Sequence, residues 1–295
     1  MLKGRVVKVL SDRFMVDVGN ESVQVKSRKK LKRETLPLPG DFVLLEQAGG
    51  EYVLYKIEER KNRLIRPAVS NADKVIITVA PLPETDFLTV DKLIIGAHKA
   101  GVSTVICVNK TDITPQGFTE SVEAQYAGVA DAIVAVCAER KETAALEKLL
   151  TGGFSCFAGQ SAVGKTSLIN AVCGLDREVG DLSEKTLKGK NTTTSAELIK
   201  ISDGTYIADT PGFAALDLFD IKPEELSLYY DEYVALSSGC KYHMCTHVSE
   251  PNCAVRAAVE SGRLNGLRYE RYLMLCEELK KRNLHRKSWR KAYDD

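Results

Sequence analysis

The sequence predicts a multidomain α/β protein: a small antiparallel barrel, then a mostly parallel sheet with helices on both faces, then a helical segment with clustered cysteines. Three observations lead to that class. Short β-branched and aromatic runs separated by turn residues fill the region 1–68. Strand and helix patterns alternate through 69–220, which implies parallel pairing with helical crossovers. From 221 to 295 a group of cysteines with a histidine is followed by an amphipathic helical run at 267–281.

The amino-terminal strands are expected at 6–10, 14–18, 23–25, 42–45 and 52–57, with turns at Ser11-Asp12, Gly19-Asn20, Pro39-Gly40-Asp41 and Gly49-Gly50. Five strands in so short a stretch suit an OB-fold β-barrel. Its third and fourth strands are joined by Lys26-Ser27-Arg28-Lys29-Lys30-Leu31-Lys32-Arg33, a basic run that no acid interrupts. A solvated connection is the plain reading. The density of charge at Arg28, Lys29, Lys30, Lys32 and Arg33 favours phosphate contact in RNA, which releases counterions. Phe14, Phe42 and Tyr52 are possible stacking partners, but inward packing is expected of each.

The chain of 295 residues carries a net charge of +1, so no overall field draws it to nucleic acid; local basic clusters would have to do so. No apolar run reaches the ~20 residues of a membrane span, and Met1-Leu2-Lys3-Gly4-Arg5 lacks the apolar stretch of a signal peptide. The expectation is a cytoplasmic protein with reduced or metal-bound cysteines. Cys107, Cys137 and Cys156 lie in apolar runs and read as small core residues.

In the second region, strands are expected at 74–80, 103–108, 132–136, 154–157 and 206–208, with helical spacing at 87–99 and 167–172. Ligands of such sheets sit at the carboxyl ends of the strands, and the chemistry-bearing motifs lie there. Ala158 and Gly159-Gln160-Ser161-Ala162-Val163-Gly164-Lys165-Thr166 follow a strand and open a helix, the setting in which a phosphate loop is believable. Backbone amides would cradle phosphates, Lys165 would neutralise the β- and γ-phosphates, and the Thr166 hydroxyl would ligate Mg²⁺. Asp209-Thr210-Pro211-Gly212 follows another strand. Asp209 could hold the Mg²⁺ and the Gly212 amide could meet the γ-phosphate. Taken alone, that tetrapeptide is as well read as a turn.

Asn109-Lys110-Thr111-Asp112 ends the buried strand at 103–108. A carboxylate at Asp112 can accept from both guanine donors, whereas adenine offers no matching pair. Lys110 can cover the base and Asn109 can tie the loop down. Cys137 and Ala138, after the next strand, could offer an amide to the guanine oxygen. Asn191-Thr192-Thr193-Thr194 lies in a polar stretch at 174–195. One threonine, with Thr193 taken as representative, would complete the Mg²⁺ shell in a segment that orders with the γ-phosphate; a plain loop is the competing reading. Cys240, Cys245, His247 and Cys253 form C-x₄-C-x-H-x₅-C, a set suited to a closed tetrahedral Zn²⁺ site, with His243 ranked second as a ligand.

The base-reading tetrapeptide here precedes the phosphate loop, the reverse of an ordinary GTPase, so the middle region reads as a circularly permuted P-loop GTPase domain. Barrel, permuted domain and cysteine segment together resemble the ribosome-small-subunit-dependent GTPases of the RsgA type. That resemblance implies GTP hydrolysis stimulated by the small ribosomal subunit, a role in its late maturation, rRNA binding by the barrel and the zinc-binding segment, and one structural zinc per chain. Nothing in the sequence implies an oligomer, so a monomer is expected.

The chain departs from the Ras-like pattern at Phe213, where a glutamine would orient the attacking water. Similar family members often carry a histidine directly before the threonine triplet; this chain has Asn191, which can hold a water but cannot act as a base near neutral pH. Lys165 and Asn191 are therefore the candidate catalytic groups. The basic tail, with Lys280, Lys281, Arg282, Arg286, Lys287, Trp289, Arg290 and Lys291, could dock on RNA or be a solvated helix end. Two other classes remain: a small-molecule kinase or ATPase, and a non-catalytic RNA-binding module that holds a nucleotide as ligand only.

Overall fold

A computed structural model describes residues 1–28, 35–65, 67–175, 196–209 and 221–293, without the side chains of 209 and 284–293. Five strands open the chain: β1 (Leu2–Val9), β2 (Phe14–Asp17), β3 (Ser22–Ser27), β4 (Phe42–Ala48) and β5 (Glu51–Ile57). They hydrogen-bond in the order β1-β2-β3-β5-β4, and β4 returns to β1, which closes the barrel. The β3–β5 pair is parallel and the others antiparallel. Closure leaves no bare strand edge within the ring. Val6, Phe14, Val16, Val25, Val43, Leu45 and Leu54 fill it.

Two aromatic expectations fail here. Phe42 and Tyr52 keep 43% and 39% of their surface exposed, whereas Phe14 packs inward. The side-chain period of two explains Phe42, because Val43 and Leu45 take the inward positions of β4. Tyr52 stands at the rim, beside the Gly49-Gly50 turn.

A short ribbon, β6 (Arg63–Leu64) with β7 (Val69–Ser70), leads out of the barrel. Asp41 pins this exit. Fully buried, it accepts from Arg60 through both oxygens (2.7 and 2.8 Å), from the Leu38 amide at 2.8 Å and from the Ser70 hydroxyl at 2.6 Å.

The second sheet runs β10-β9-β8-β11-β13-β12, made of β8 (Lys74–Val79), β9 (Ser103–Val108), β10 (Ala132–Ala135), β11 (Gly153–Ala158), β12 (Glu197–Ser202) and β13 (Thr205–Asp209). All neighbours are parallel except the β12–β13 hairpin. Between them lie α1 (Phe87–Lys99), α2 (Phe118–Tyr126), α3 (Ala144–Leu150) and α4 (Lys165–Cys173). Asp86 starts α1, its carboxylate accepting from the Leu88 and Thr89 amides. One core, including Val75, Ile77, Leu93, Ile94, Ile106 and Phe154, covers one sheet face; Ile76, Val105, Cys107, Phe157, Leu168 and Ile207 cover the other. Cys107, Cys137 and Cys156 are fully buried.

The sequence reading missed β12, and this strand joins the two sheets. β1 pairs with it antiparallel at Lys8 and Glu197, whose side chains also form an ion pair at 2.8 Å. Nearby, Tyr206 donates to the Asp17 carboxylate at 2.7 Å, and the Lys200 ammonium reaches the same carboxylate at 3.2 Å. Burial pushes the Asp17 carboxyl up, but the Tyr206 hydroxyl, the Gly19 amide and Lys200 outweigh it and hold the group below its ordinary range.

The carboxy-terminal part holds a 3₁₀ turn (Pro223–Tyr229), α5 (Asp231–Ser237), α6 (Ala254–Glu260) and α7 (Gly266–Tyr293). Tyr230, Tyr233 and Tyr272 pack ring against ring at 4.8 to 5.1 Å in its core. α7 is clamped to α1 by fully buried Asp91, which accepts from both Arg268 and Arg271. Arg268 also donates to Glu232 at 2.8 Å, and Arg271 to Gln125 at 2.9 Å. Burial works against the Arg268 charge, but Asp91 and Glu232 outweigh it and raise the guanidinium above its ordinary value. Among the described residues no helix is long and apolar enough to cross a membrane.

Candidate functional site

The two loops expected to share a ligand lie side by side at the carboxyl end of the parallel sheet. β9 ends at Val108 and delivers Asn109; β11 ends at Ala158 and delivers Gly159. Because β8 lies between these strands, their loops meet across its end. Asn109 makes the join: its side-chain amide donates to the Val163 carbonyl at 3.0 Å, and its side-chain oxygen accepts from the Ala138 amide at 3.2 Å. Lys110, at φ 64°, stretches across to the Leu82 and Ala162 carbonyls at 2.7 and 2.8 Å. The 109–112 and 159–166 segments are therefore held against each other at the same end of the sheet.

Backbone geometry explains the glycines of the second loop. Gly159 and Gly164 adopt φ of 131° and 94°. A Cβ on Gly159 would come within 2.4 Å of the Thr78 carbonyl oxygen, and one on Gly164 within 2.4 Å of the Asn109 amide nitrogen. The close contact between the two loops thus requires glycine at 164. No side chain caps the start of α4. Its first-turn amides, which have no acceptor within the helix, face the loop mouth with the positive end of the helix dipole. Lys165 curls over the loop and donates to the Gly159 and Gln160 carbonyls at 2.8 and 2.7 Å. Thr166 follows it in the first turn, half-buried. Gln160 also links the loop to α1, accepting from the Asp86 amide at 3.2 Å.

In the 109–112 loop Asp112 is exposed, and Thr111 donates its amide to the Val136 carbonyl at 3.3 Å. The Cys137 thiol donates to the Asp112 carboxylate at 3.2 Å. The sequence reading gave the Cys137 side chain a core-packing role and its amide a guanine contact; the thiol contact with Asp112 had no signal in the linear pattern. The Cys137 and Ala138 amides have protein acceptors, the Glu142 carbonyl and the Asn109 side chain. Asp209 ends β13 beside the phosphate loop's own strand. Asn191, Thr192, Thr193, Thr194, Gly212 and Phe213 lie outside the described residues, as do Lys29, Lys30, Lys32 and Arg33. Arg28 is engaged by the Glu46 carboxylate and stacks 5.0 Å from the Tyr55 ring centroid.

Cys240, Cys245, His247 and Cys253 converge, with ligand atoms within 4.8 Å of one another. His247 Nδ1 lies 3.7 Å from Cys240 Sγ and 3.4 Å from Cys253 Sγ, spacings that one small cation at the centre would span. The Ala254 and Arg256 amides donate to the Cys240 and Cys253 sulfurs at 3.4 and 3.5 Å, as suits thiolates. Burial lowers the His247 pKa, which favours the neutral, ligating imidazole. Tyr269 and Tyr272 of α7 donate to the His247 and Thr246 carbonyls. The donor set therefore fits a tetrahedral metal. His243 is outside the cluster.

Known proteins are similar to this chain over nearly its whole length. The family model described as RsgA GTPase matches residues 57–219, more than half of the chain. The small ribosomal subunit biogenesis GTPase RsgA of Geobacillus sp. (strain WCH70) is 36% identical over 96% of this chain and 99% of its own length. The protein of the same name from Moorella thermoacetica is 39% identical over 87% of this chain and 89% of its own. The crystal structure of YjeQ from Thermotoga maritima superposes with a TM-score of 0.82 at 35% identity, covering 94% of this chain and 98% of that one. The structure of YloQ, described as a circularly permuted GTPase, gives 0.78 at 30% identity over 96% of each chain. With its closed barrel, its permuted GTPase fold and its three-cysteine, one-histidine cluster, this chain belongs to the RsgA GTPase family.

Proposed function

We propose that the protein hydrolyses GTP in the biogenesis of the small ribosomal subunit, that the subunit stimulates turnover, and that rRNA is held by the barrel and the metal-bearing module. The observation that carries the nucleotide reading is the Asn109–Val163 bond with its companion Lys110–Ala162 contact. It holds the loops that carry Asp112 and Lys165 side by side, which supports their serving one nucleotide. In this reading Asp112 selects guanine, Lys110 covers the base, and the 159–166 amides with Lys165 hold the phosphates. Mg²⁺ supplies charge neutralisation when bound, held by Thr166 and Asp209 with a threonine of 192–194. Lys165 stabilises charge on the transferring phosphoryl group, and Asn191 holds the attacking water, since Phe213, at the sequence position of the Ras-like glutamine, cannot.

The metal is zinc in this reading, as three thiolates and one imidazole suit it, and its role is structural, since they leave no position for water. The chain divides into a barrel (1–68), a GTPase domain (69–220) and a metal-binding helical module (221–295), acts in the cytoplasm and is a monomer. For RNA, the acid-free basic run at 26–33 supports the barrel's role, although Arg28 already has an acidic partner in Glu46. Multiple-turnover GTP hydrolysis measured with and without purified small subunits tests the whole reading. Acceleration by subunits is the expected result. Equal binding of ADP and GDP would remove the base assignment, and absence of turnover in both conditions would leave a binding module instead.

A further inference from the structure

Between the ligand residues Cys240 and Cys245 stand Lys241, Tyr242, His243 and Met244, and all four are exposed. Tyr242 keeps 44% of its surface accessible and Met244 keeps 79%. Single exposed apolar side chains are ordinary, but two within three residues on one fixed loop are a patch that asks for a partner. The loop is anchored at both ends. Metal-ligand residues stand at both ends, and the Lys241 amide donates to the Asn252 carbonyl at 3.2 Å. Beyond Cys245, the Glu250 carboxylate accepts from the Thr246 amide and hydroxyl at 2.7 and 2.6 Å, and from the Val248 and Ser249 amides at 3.0 and 3.1 Å. A surface held this way gives up little conformational freedom when it docks.

Its chemistry is selective. No acidic residue occurs from 233 to 249, and the Glu250 carboxylate is turned onto backbone amides. The Lys241 ammonium lies 5.7 Å from the Tyr242 ring centroid. A cation beside an exposed aromatic face matches a nucleotide, with phosphate at the ammonium and base on the ring. An apolar protein groove would suit Met244 but would leave the lysine without a counter-charge.

We infer that the loop 241–244 is a contact surface for an unpaired base of RNA, with Tyr242 as the stacking platform and Lys241 at the neighbouring phosphate. The inference rests on the ribosomal role proposed above and names the residues through which the metal-bearing module makes contact.

The test uses the full-length, metal-loaded protein and measures binding to purified small subunits and to protein-free small-subunit rRNA. Tyr242→Ala is expected to weaken both by about 5- to 150-fold, the range for losing one stacked base. Tyr242→Phe, which keeps the ring, should stay within about twofold of wild type, and Met244→Ala should fall between. Metal content and GDP affinity, unchanged in all three, show that the fold is intact. Tyr242→Ala binding subunits as tightly as wild type overturns the surface while the functional reading stands. Weakened binding to subunits with unchanged binding to free rRNA overturns the RNA assignment in favour of a protein partner. Wild-type protein that binds no subunits overturns the functional reading and this surface with it.

Discussion

In the proposed function base selection turns on Asp112, and the chemistry of that pairing sets the size of the expected effect. Removing a group that pairs with two donors costs a site most of its discrimination, by factors up to about 10⁴ to 10⁵. Asp112→Ala should therefore bring GDP and ADP affinities within about tenfold of each other, as read by competition with a fluorescent guanine nucleotide; a preference that survives intact would refute the assignment. The Cys137 thiol donates to that carboxylate and in the same reading orients it. Cys137→Ala should weaken GDP binding by about fivefold, the worth of one hydrogen bond of about 1 kcal/mol. Cys137→Ser, which keeps a donor, should restore it, whereas equal losses in both would mean that packing alone is at stake. The motif residues were legible in the sequence because their chemistry is local: glycine where φ is positive, lysine and threonine opening a helix, a carboxylate at a strand end. The thiol contact was not, since it depends on β9 and β10 lying side by side and bringing 112 and 137 together.

At the scale of elements, two buried polar contacts join the parts. Asp91 is shared by Arg268 and Arg271, so Asp91→Ala would leave the buried Arg268 with Glu232 alone and the half-buried Arg271 without a carboxylate partner. A loss of about 3–5 kcal/mol is expected, measured by urea unfolding. An isosteric Asn should recover only a small part, because it cannot supply the charge. The Asp17–Tyr206 contact should show a pH signature. The folded Asp17 carboxyl lies below its ordinary value, so the contribution is complete above the unfolded value of about 3.9 and disappears as pH falls through the lower folded one. The stability gap between wild type and Tyr206→Phe should be constant from pH 7 to about 5 and shrink below about 4. A gap independent of pH down to 3 would assign the effect to packing. Neither contact could be read in advance, because Asp17 and Tyr206, or Asp91 and Arg268, are far apart along the chain. The alternation that marks β1 to β5 was readable. β12 has a weaker version of the same alternation, with buried Leu198 flanked by half-exposed Glu197 and Ile199, and it went unread beside a long polar stretch. Phe42 was misassigned because strand parity depends on register, which the sequence leaves open until β4 is paired.

For the whole molecule, metal removal gives a further prediction. The knuckle around Cys240 and Cys253 has little apolar burial of its own beyond the tyrosine core, so chelation should unfold it locally. Hydrogen exchange should accelerate at 240–253 while the amides of β8, β9 and β11 stay protected. Loss of protection throughout the sheet would show that the metal supports the entire protein.

The strand order β10-β9-β8-β11 also bears on how the polypeptide is made. A nascent chain emerges amino terminus first, so the barrel, β8, β9 and β10 can assemble while the second edge of β8 still awaits residues 153–158. During that interval an apolar strand has a bare row of amides and carbonyls, the kind of edge that recruits foreign strands. Chains arrested at residue 150 should therefore aggregate or hold chaperones, and those arrested beyond 210, clear of the exit tunnel, should not. Reversing the motif order along the chain thus shifts the vulnerable moment of synthesis to the stretch between base reader and phosphate cradle.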